Sequence, residues 1–149
     1  IYKVLHLNYT EPLPTTMSFS SYPGLLGSND DWYTSSASSL FVTETTNAIY
    51  NRTLYSRLTP FSAFVWQRAN IATMIAQNGS QWTTLFARHN SGTQNNQWMV
   101  VDSKRIGNGK GVETGFLWIL EQLPGRCERA DVTDIVRQQG YWASYNDTG

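Results

Sequence analysis

Side-chain amides are concentrated in one short stretch of the chain, RHNSGTQNNQWMVVD, which covers residues 88–102. Asn90, Asn95, Asn96 and Gln97 all fall within it, and an amide costs free energy to bury unless its donors and acceptors are paired. In a structural interpretation these side chains form a tight turn and hold the loop backbone. In a functional interpretation Asn95 or Asn96 lines a pocket as a neutral hydrogen-bond donor. The sequence leaves both open.

The end of this stretch predicts a β-strand over residues 96–102. Side chains alternate between the two faces of a strand, so Asn96, Trp98, Val100 and Asp102 share one face. That places Trp98 close to whatever Asn96 contacts. Asn95, Asn96 and Trp98 are therefore candidates for substrate binding.

Arg68 is also a candidate functional residue, because it is a cation in the middle of an apolar helical stripe. A buried guanidinium is rarely tolerated without a carboxylate or a bound anion. One interpretation is a structural ion pair or a side chain that extends out to solvent. The other is a cation that faces a binding site.

His89 and Cys127 do not form a recognisable catalytic pair. No nucleophile accompanies His89, which favours a polar histidine at a helix end, and no base accompanies Cys127. The two histidines, His6 and His89, lie far apart in the sequence, so we expect neither a metal site nor another cofactor. The adjacent acids Asp30 and Asp31 lack a full calcium-loop pattern and indicate a solvated turn.

Alternating and helical patterns place these residues on secondary-structure elements. Apolar periodicity after Thr59-Pro60 predicts a helix whose stripe includes Phe61, Phe64, Val65, Ala72, Ile75 and Ala76, with Gln67, Asn70, Thr73 and Gln77 opposite. Strands are predicted over 15–22, 38–47, 96–102 and 114–123, helices over 60–77, 80–89 (capped by Ser80) and 131–138, and turns over 27–33 and 108–111. This order predicts an α+β fold with antiparallel pairing.

Composition narrows the class of protein. The chain has 149 residues, with 11 Lys+Arg and 11 Asp+Glu, so no overall basic excess points to a nucleic-acid partner. Charged residues make up only 15%, and polarity comes instead from Ser, Thr, Asn and Gln. No apolar run predicts a transmembrane segment. Sequons for N-glycosylation occur at Asn8, Asn51, Asn78 and Asn146, which indicates passage through a secretory pathway.

Long motifs spread over nearly the whole chain resemble the phospholipase B-like family of lysosomal and secreted proteins. They are SFSSYPG (18–24), DDWY (30–33), ETTN (44–47), WQR with the following AN (66–70), NSGTQNNQWMVVD (90–102), LEQLPG (120–125) and GYWASYN (140–146). The resemblance implies an N-terminal-nucleophile hydrolase fold, a four-layer αββα sandwich with antiparallel sheets.

The resemblance also implies a mechanism, in which self-cleavage exposes an N-terminal cysteine that attacks an acyl ester or amide carbonyl of a lipid or other amide. The segment with this nucleophile is expected upstream of Ile1, and the family continues beyond Asn146. Residues 1–149 are then an interior portion of a single hydrolase domain. Its partners are the other fragments of the processed precursor, including the one that starts with cysteine.

The same resemblance assigns supporting roles to residues of this chain. In related amidases an Asn after a Glu-Thr strand stabilises the oxyanion, and this position matches Asn47 in ETTN, with Thr46 beside it. Those relatives also hold an Arg near the substrate, which Arg68 matches. An alternative is a catalytically inactive lysosomal or secreted glycoprotein that binds lipid or glycan through its aromatic residues on the same scaffold.

Overall fold

The computed structural model describes residues 1–6, 16–25, 27, 32–109 and 111–145. The predicted sequons Asn8 and Asn146 and the predicted turn at Asp30 and Asp31 lie outside these residues. The strands are β1 (Tyr2–His6), β2 (Thr16–Ser20), β3 (Trp32–Ser35), β4 (Leu40–Thr46), β5 (Asn96–Asp102), β6 (Ile106–Gly107), β7 (Gly111–Val112), β8 (Leu117–Leu123) and β9 (Arg126–Asp131). The α-helices are α1 (Val65–Ile75), α2 (Gly79–Ala87) and α3 (Thr133–Gln139), and Arg52–Arg57 and Ser103–Arg105 form short 3-10 helices.

Seven strands form one antiparallel sheet in the order β1-β2-β3-β4-β5-β8-β9, while β6 and β7 pair separately. Side chains of β4 alternate between the two faces at its start, where Leu40 and Val42 are buried and Phe41 between them is exposed. The predicted shared face is confirmed in β5, where Asn96, Trp98, Val100 and Asp102 are all buried. The long β4–β5 pairing joins residues that are far apart in the sequence, with Thr46 opposite Asn96.

Helices α1 and α2 cover one face of this sheet and enclose the main core. Aromatic rings fill its centre: the Trp98 ring lies 4.7 Å from Phe86 and 5.5 Å from Trp82, and Trp82 stacks on Phe86 at 4.8 Å. Trp82 also donates a hydrogen bond from Nε1 to Thr73 Oγ1 over 3.0 Å, which fixes α2 against α1. Tightly packed rings of this kind dominate the energetics of a core.

The opposite face of the sheet is covered at one side only. A smaller cluster lies there around Leu117, Ile119 and Val132, packed against Trp142 from the C-terminal segment and Val136 of α3. On β4 of the same face, Phe41 remains 43% exposed. The described residues therefore contain one large sheet, with α1 and α2 on one face and the short helix α3 on part of the other. The second sheet and outer helical layer of a four-layer sandwich stay a prediction. The coarser prediction of an α+β fold with antiparallel pairing agrees with the structure.

The predicted helix over 60–77 begins too early. Thr59 instead accepts a hydrogen bond from the Phe61 N–H at its Oγ1, which forms a local turn. Helix α1 starts at Val65, after Phe64 in extended backbone, and the Phe64 N–H donates to Gln67 Oε1 over 3.0 Å.

The predicted apolar stripe was also wrong in part. Val65, Ala72 and Ala76 are buried, but Phe61 is 89% exposed and Phe64 and Ile75 are exposed as well. Asn70 and Thr73, which were assigned to the solvent side, are buried. Small side chains face the core because α2 approaches α1 closely there.

Several other boundaries differ from the sequence prediction. Helix α2 is capped by Asn78, whose Oδ1 accepts the Gln81 N–H over 2.8 Å, and Ser80 lies inside the helix. Strand β3 occupies part of the predicted turn over 27–33, and β1 and β9 were not predicted. The helix predicted over 131–138 begins at Thr133, because Asp131 is the last residue of β9 and its carboxylate accepts the Thr133 N–H.

Candidate functional site

The predicted oxyanion residue and the predicted substrate residues meet at one end of the sheet. Asn47 directly follows β4, and its backbone N–H donates to the Asn95 carbonyl over 2.8 Å. Thr46, which is exposed, lies opposite Asn96 in the β4–β5 ladder. The structure thus brings together Thr46, Asn47, Asn95 and Asn96, although about fifty residues separate the two segments. We call these four residues the amide cluster.

Three side chains of the amide cluster are buried without all their hydrogen bonds. Asn47 and Asn95 are each 5% exposed, and Asn96 is fully buried. Among the described residues no partner exists for Nδ2 and Oδ1 of Asn47, for Nδ2 and Oδ1 of Asn96, or for Oδ1 of Asn95. A buried polar group left unpaired costs about 1–3 kcal/mol. Five polar side-chain atoms at this end of the sheet are therefore buried without a hydrogen bond from the described residues.

The rest of the 88–102 stretch follows the structural interpretation. Asn90 Oδ1 accepts the Gly92 N–H over 3.1 Å and the Gln122 Nε2–H over 2.7 Å, while Asn90 Nδ2 donates to the Leu123 carbonyl. Asn95 Nδ2 donates to the Gly92 carbonyl over 2.8 Å. Asn90 therefore forms the turn and ties it to β8, and Asn95 contributes to both the turn and the amide cluster.

Gly92 is required where this turn contacts its neighbours. Its φ of +66° lies in the left-handed region, and a Cβ added there would lie 2.6 Å from Pro124 Cα. We expect Gly92→Ala to lower the free energy of unfolding by about 2–4 kcal/mol, from the left-handed conformation and from the displacement of the turn. Thermal or denaturant unfolding of the purified protein measures this.

Gly109→Ala is the matched control for this prediction. Gly109 has a similar φ of +73°, but nothing lies within 4 Å of an added Cβ. Its substitution carries only the conformational cost of about 1 kcal/mol. Equal losses for the two variants would show that the contact with Pro124 is unimportant.

Arg68 is buried, with 4% of its surface exposed, and backbone carbonyls surround it instead of carboxylates. Its Nε donates to the Ala63 carbonyl over 3.0 Å, and its Nη1 donates to the Phe86 carbonyl over 2.6 Å. The guanidinium also lies 4.3 Å above the Phe86 ring. It has no carboxylate partner among the described residues. Burial lowers the pKa of Arg68 to about 10, so it remains a cation at neutral pH.

These contacts connect Arg68 to a buried polar network that the sequence did not reveal. Nη2 of Arg68 lies 3.4 Å from Asn90 Oδ1, and Gln122, which bonds the same oxygen, also accepts the Trp98 Nε1–H over 3.3 Å. Gln122 sits on the inward face of β8, in line with Trp118 and Leu120. A single Gln in an apolar alternation was the available signal. The contacts of Arg68 and Trp98 are those of residues that hold the core, and their roles toward substrate stay predictions.

The two other candidates from the sequence have no catalytic partner in the described residues. His89 is exposed, two residues beyond the end of α2, and its carbonyl accepts the Ala63 N–H. Cys127 is half-buried against the core, opposite Gln122 in the β8–β9 ladder. Burial raises the pKa of the Cys127 thiol to about 11, an effect that Arg68 partly offsets and Glu128 reinforces.

We therefore expect Cys127 to react slowly with alkylating agents. A pKa of about 11 instead of the ordinary 9.0 lowers the thiolate fraction at neutral pH about 100-fold. Its labelling by iodoacetamide, followed on the Cys127 peptide by mass spectrometry, should rise about tenfold with each pH unit up to about pH 11. Glutathione in the same solution is the control. Labelling of Cys127 as fast as glutathione at pH 7 would contradict a buried, protonated thiol.

None of the helices in the described part of the chain has the length and apolar character needed to cross a bilayer.

The sequence is similar to those of several known proteins. The profile of the family described as Phospholipase B matches residues 1–147. Phospholipase B-like protein G of Dictyostelium discoideum is 46% identical over 98% of this chain, and Phospholipase B-like 1 of Rattus norvegicus is 49% identical over 87%. Phospholipase-B 81 of Drysdalia coronoides is 45% identical over 98% of the chain. The chain spans 26%, 23% and 26% of these relatives, about a quarter of their length.

Proposed function

Because the chain belongs to the phospholipase B family, we propose that it forms part of a hydrolase that cleaves acyl ester or amide bonds of lipids or other amides. The observation that carries this proposal is the buried amide cluster, which offers unpaired, uncharged hydrogen-bond donors at one end of the sheet. Attack on an acyl carbonyl produces an oxyanion, and fixed neutral donors in a water-poor site stabilise it strongly. The Asn47 Nδ2 is the donor to which we assign this role.

The nucleophile in this proposal is an N-terminal cysteine on another segment of the same precursor. Its thiol passes its proton to its own α-amine, and the thiolate attacks the acyl carbonyl to form a tetrahedral oxyanion. The ester C–O or amide C–N bond then breaks, the alcohol or amine leaves with that proton, and water hydrolyses the resulting thioester to release the carboxylic acid and the free thiol. Cys127 cannot take this role, because it is internal to the chain and burial keeps its thiol protonated. Asn95 and Asn96 would then line the site or orient the amine of the nucleophile, and Trp98 would support Asn96 from the same face of β5.

Activity measurements on the purified protein test this proposal. Short-chain phosphatidylcholine and an N-acyl amide, both kept monomeric, serve as substrates, and iodoacetamide pretreatment should abolish acyl release at neutral pH. Cys127→Ser is the matched variant: it should remain active and remain sensitive to iodoacetamide. Full activity after alkylation would exclude a cysteine nucleophile. Hydrolysis of neither substrate would favour the inactive lipid- or glycan-binding alternative.

We also propose a lysosomal or secreted location with N-linked glycans. Asn51 and Asn78 are both exposed, and in each the side-chain Oδ1 accepts a local backbone N–H, which leaves Nδ2 for the glycan. Enzymatic removal of glycans in heavy-oxygen water should mark both residues by conversion to Asp. Unmarked Asn51 and Asn78 in protein from its natural source would contradict this prediction.

A further inference from the structure

We propose that an exposed surface next to the amide cluster binds anionic phospholipid bilayers. This proposal rests on the proposed function, since such a surface would bring a lipid-cleaving site to its substrate. We call it the apolar-basic surface, and its residues are Tyr55, Leu58, Phe61, Phe64, Arg57 and Arg88.

Large apolar side chains stand out from this surface. Phe61 is 89% exposed and Phe64 is 61% exposed, and Tyr55 and Leu58 are exposed beside them. Scattered exposed apolar residues are common, but aromatic residues grouped along one short segment mark an interaction site. Side chains of this kind insert into the boundary between headgroups and acyl chains.

The segments that carry these residues lie together in space. The Ala63 N–H donates to the His89 carbonyl over 2.9 Å, which places Arg88 close to Phe64. A Cβ at Gly92 would lie 3.0 Å from Leu58, and one at Gly125 would lie 2.8 Å from Arg57. The 3-10 helix, the loop before α1 and the turn after α2 are therefore neighbours in space.

The segment that carries most of this surface, residues 45–101, has basic side chains and no acidic ones. No Asp or Glu occurs between Glu44 and Asp102, whereas Arg52, Arg57, Arg68 and Arg88 all do. Arg57 and Arg88 are exposed and form no salt bridge within the described residues. Residues 45–101 thus carry a net positive charge although the formal charge of the whole chain is zero. Exposed arginines among apolar side chains complement an anionic bilayer better than a neutral one.

The position of the surface fits a lipid substrate. Leu58 contacts Gly92, the Gly92 carbonyl accepts from Asn95, and the Asn95 carbonyl accepts from Asn47. Protein bound to a bilayer through this surface would hold the amide cluster close to the lipid. A glycan on Asn51 would lie at the rim, because the 3-10 helix Arg52–Arg57 separates it from Leu58 by about 12 Å.

Vesicle flotation with the purified, complete protein tests this proposal. The probes are vesicles of phosphatidylcholine alone and of phosphatidylcholine mixed with phosphatidylserine. We expect wild-type protein to float with the anionic vesicles and much less with the neutral ones. The double variant Arg57→Gln/Phe61→Ser should weaken binding to anionic vesicles roughly 50-fold.

Arg105→Gln/Ile106→Ser is the matched control. It also removes one exposed arginine and one exposed apolar side chain, but it lies beyond the opposite end of β5. Its binding should equal that of wild type. A second variant, Arg88→Gln/Phe64→Ser, gives an independent measurement if the first does not fold, as judged by thermal unfolding.

Hydrolysis of a monomeric short-chain substrate separates this proposal from the proposed function. The surface variants should keep that activity and lose activity on anionic vesicles. Any of three results would overturn the bilayer-binding proposal. Wild-type protein does not float with anionic vesicles, it floats equally with neutral ones, or the surface variants float as well as wild type. If wild-type protein does not float at all, another part of the protein or a protein partner is the expected occupant of this surface. If the wild-type protein does not hydrolyse the monomeric short-chain substrate, the proposed function is overturned instead.

Discussion

Asn47→Ala should lower kcat for acyl hydrolysis about 100- to 1,000-fold, with little change in KM. The proposed role of Asn47 is to donate to an oxyanion that exists only after nucleophilic attack. Stabilisation of that kind affects the chemical step and not substrate binding. The measurement is steady-state kinetics on the monomeric short-chain substrate.

The fold should tolerate this change, which separates catalysis from stability. The Asn47 side-chain amide forms no hydrogen bond within the described residues, so its removal breaks no such contact. Asn108→Ala, in the exposed loop between β6 and β7, is the control and should keep wild-type kcat. Asn47→Asp should be at least as inactive as the alanine variant, because a carboxylate repels an oxyanion. A large fall in melting temperature with nearly unchanged kcat would assign Asn47 a structural role instead.

Trp98→Ala should lower the free energy of unfolding by about 3–5 kcal/mol. Trp98 is fully buried between Phe86, Trp82 and Tyr33, and its Nε1–H bonds Gln122 Oε1. Its removal leaves a large cavity and also an unpaired amide oxygen on Gln122. Denaturant unfolding of the purified protein measures this loss.

Trp66→Ala is the matched control for Trp98. Trp66 lies on α1 with 40% of its surface exposed, so its truncation should cost less than half as much. The more conservative Trp98→Phe variant tests the role of Trp98 toward substrate. A core role predicts a lower melting temperature with unchanged KM. A higher KM at unchanged stability would show that Trp98 contacts the substrate.

The residues of the amide cluster could be named from the sequence, but not which of their side chains bond the protein itself. Alternation along β5 correctly grouped Asn96, Trp98, Val100 and Asp102 on one face, and this is a face that the structure buries. Whether Asn90, Asn95 and Asn96 bond the protein itself depended on which strand lies beside β5. That strand is β8, whose Gln122 pairs with Asn90. Pairings between residues this far apart leave no periodic signal in a single sequence.

Helix α1 shows where periodicity is misleading. The pattern rule assumes that the largest apolar side chains face the core. Here Ala69, Ala72 and Thr73 face it, because Trp82 of α2 fills the space and bonds Thr73. Phe61 and Phe64, which precede α1, lie at the surface instead and form part of the apolar-basic surface.

Arg68 shows a different limit of sequence reasoning. Its place among apolar residues left three alternatives open: a structural ion pair, a side chain that extends out to solvent, or a cation that faces a binding site. The structure satisfies the guanidinium with the carbonyls of Ala63 and Phe86 and with the Phe86 ring. Because every residue has a backbone carbonyl, no sequence pattern predicts which carbonyls will bond a buried guanidinium.

The central claim is that this chain works with a separate segment that begins with a cysteine nucleophile. Intact-mass spectrometry combined with N-terminal sequencing of the protein, purified from its natural source, tests it most directly. We predict that a polypeptide with cysteine as its first residue accompanies the chain, and that iodoacetamide labels this cysteine much faster than Cys127. Accompanying polypeptides that do not begin with cysteine would contradict the claim and would favour a lipid- or glycan-binding protein without catalysis.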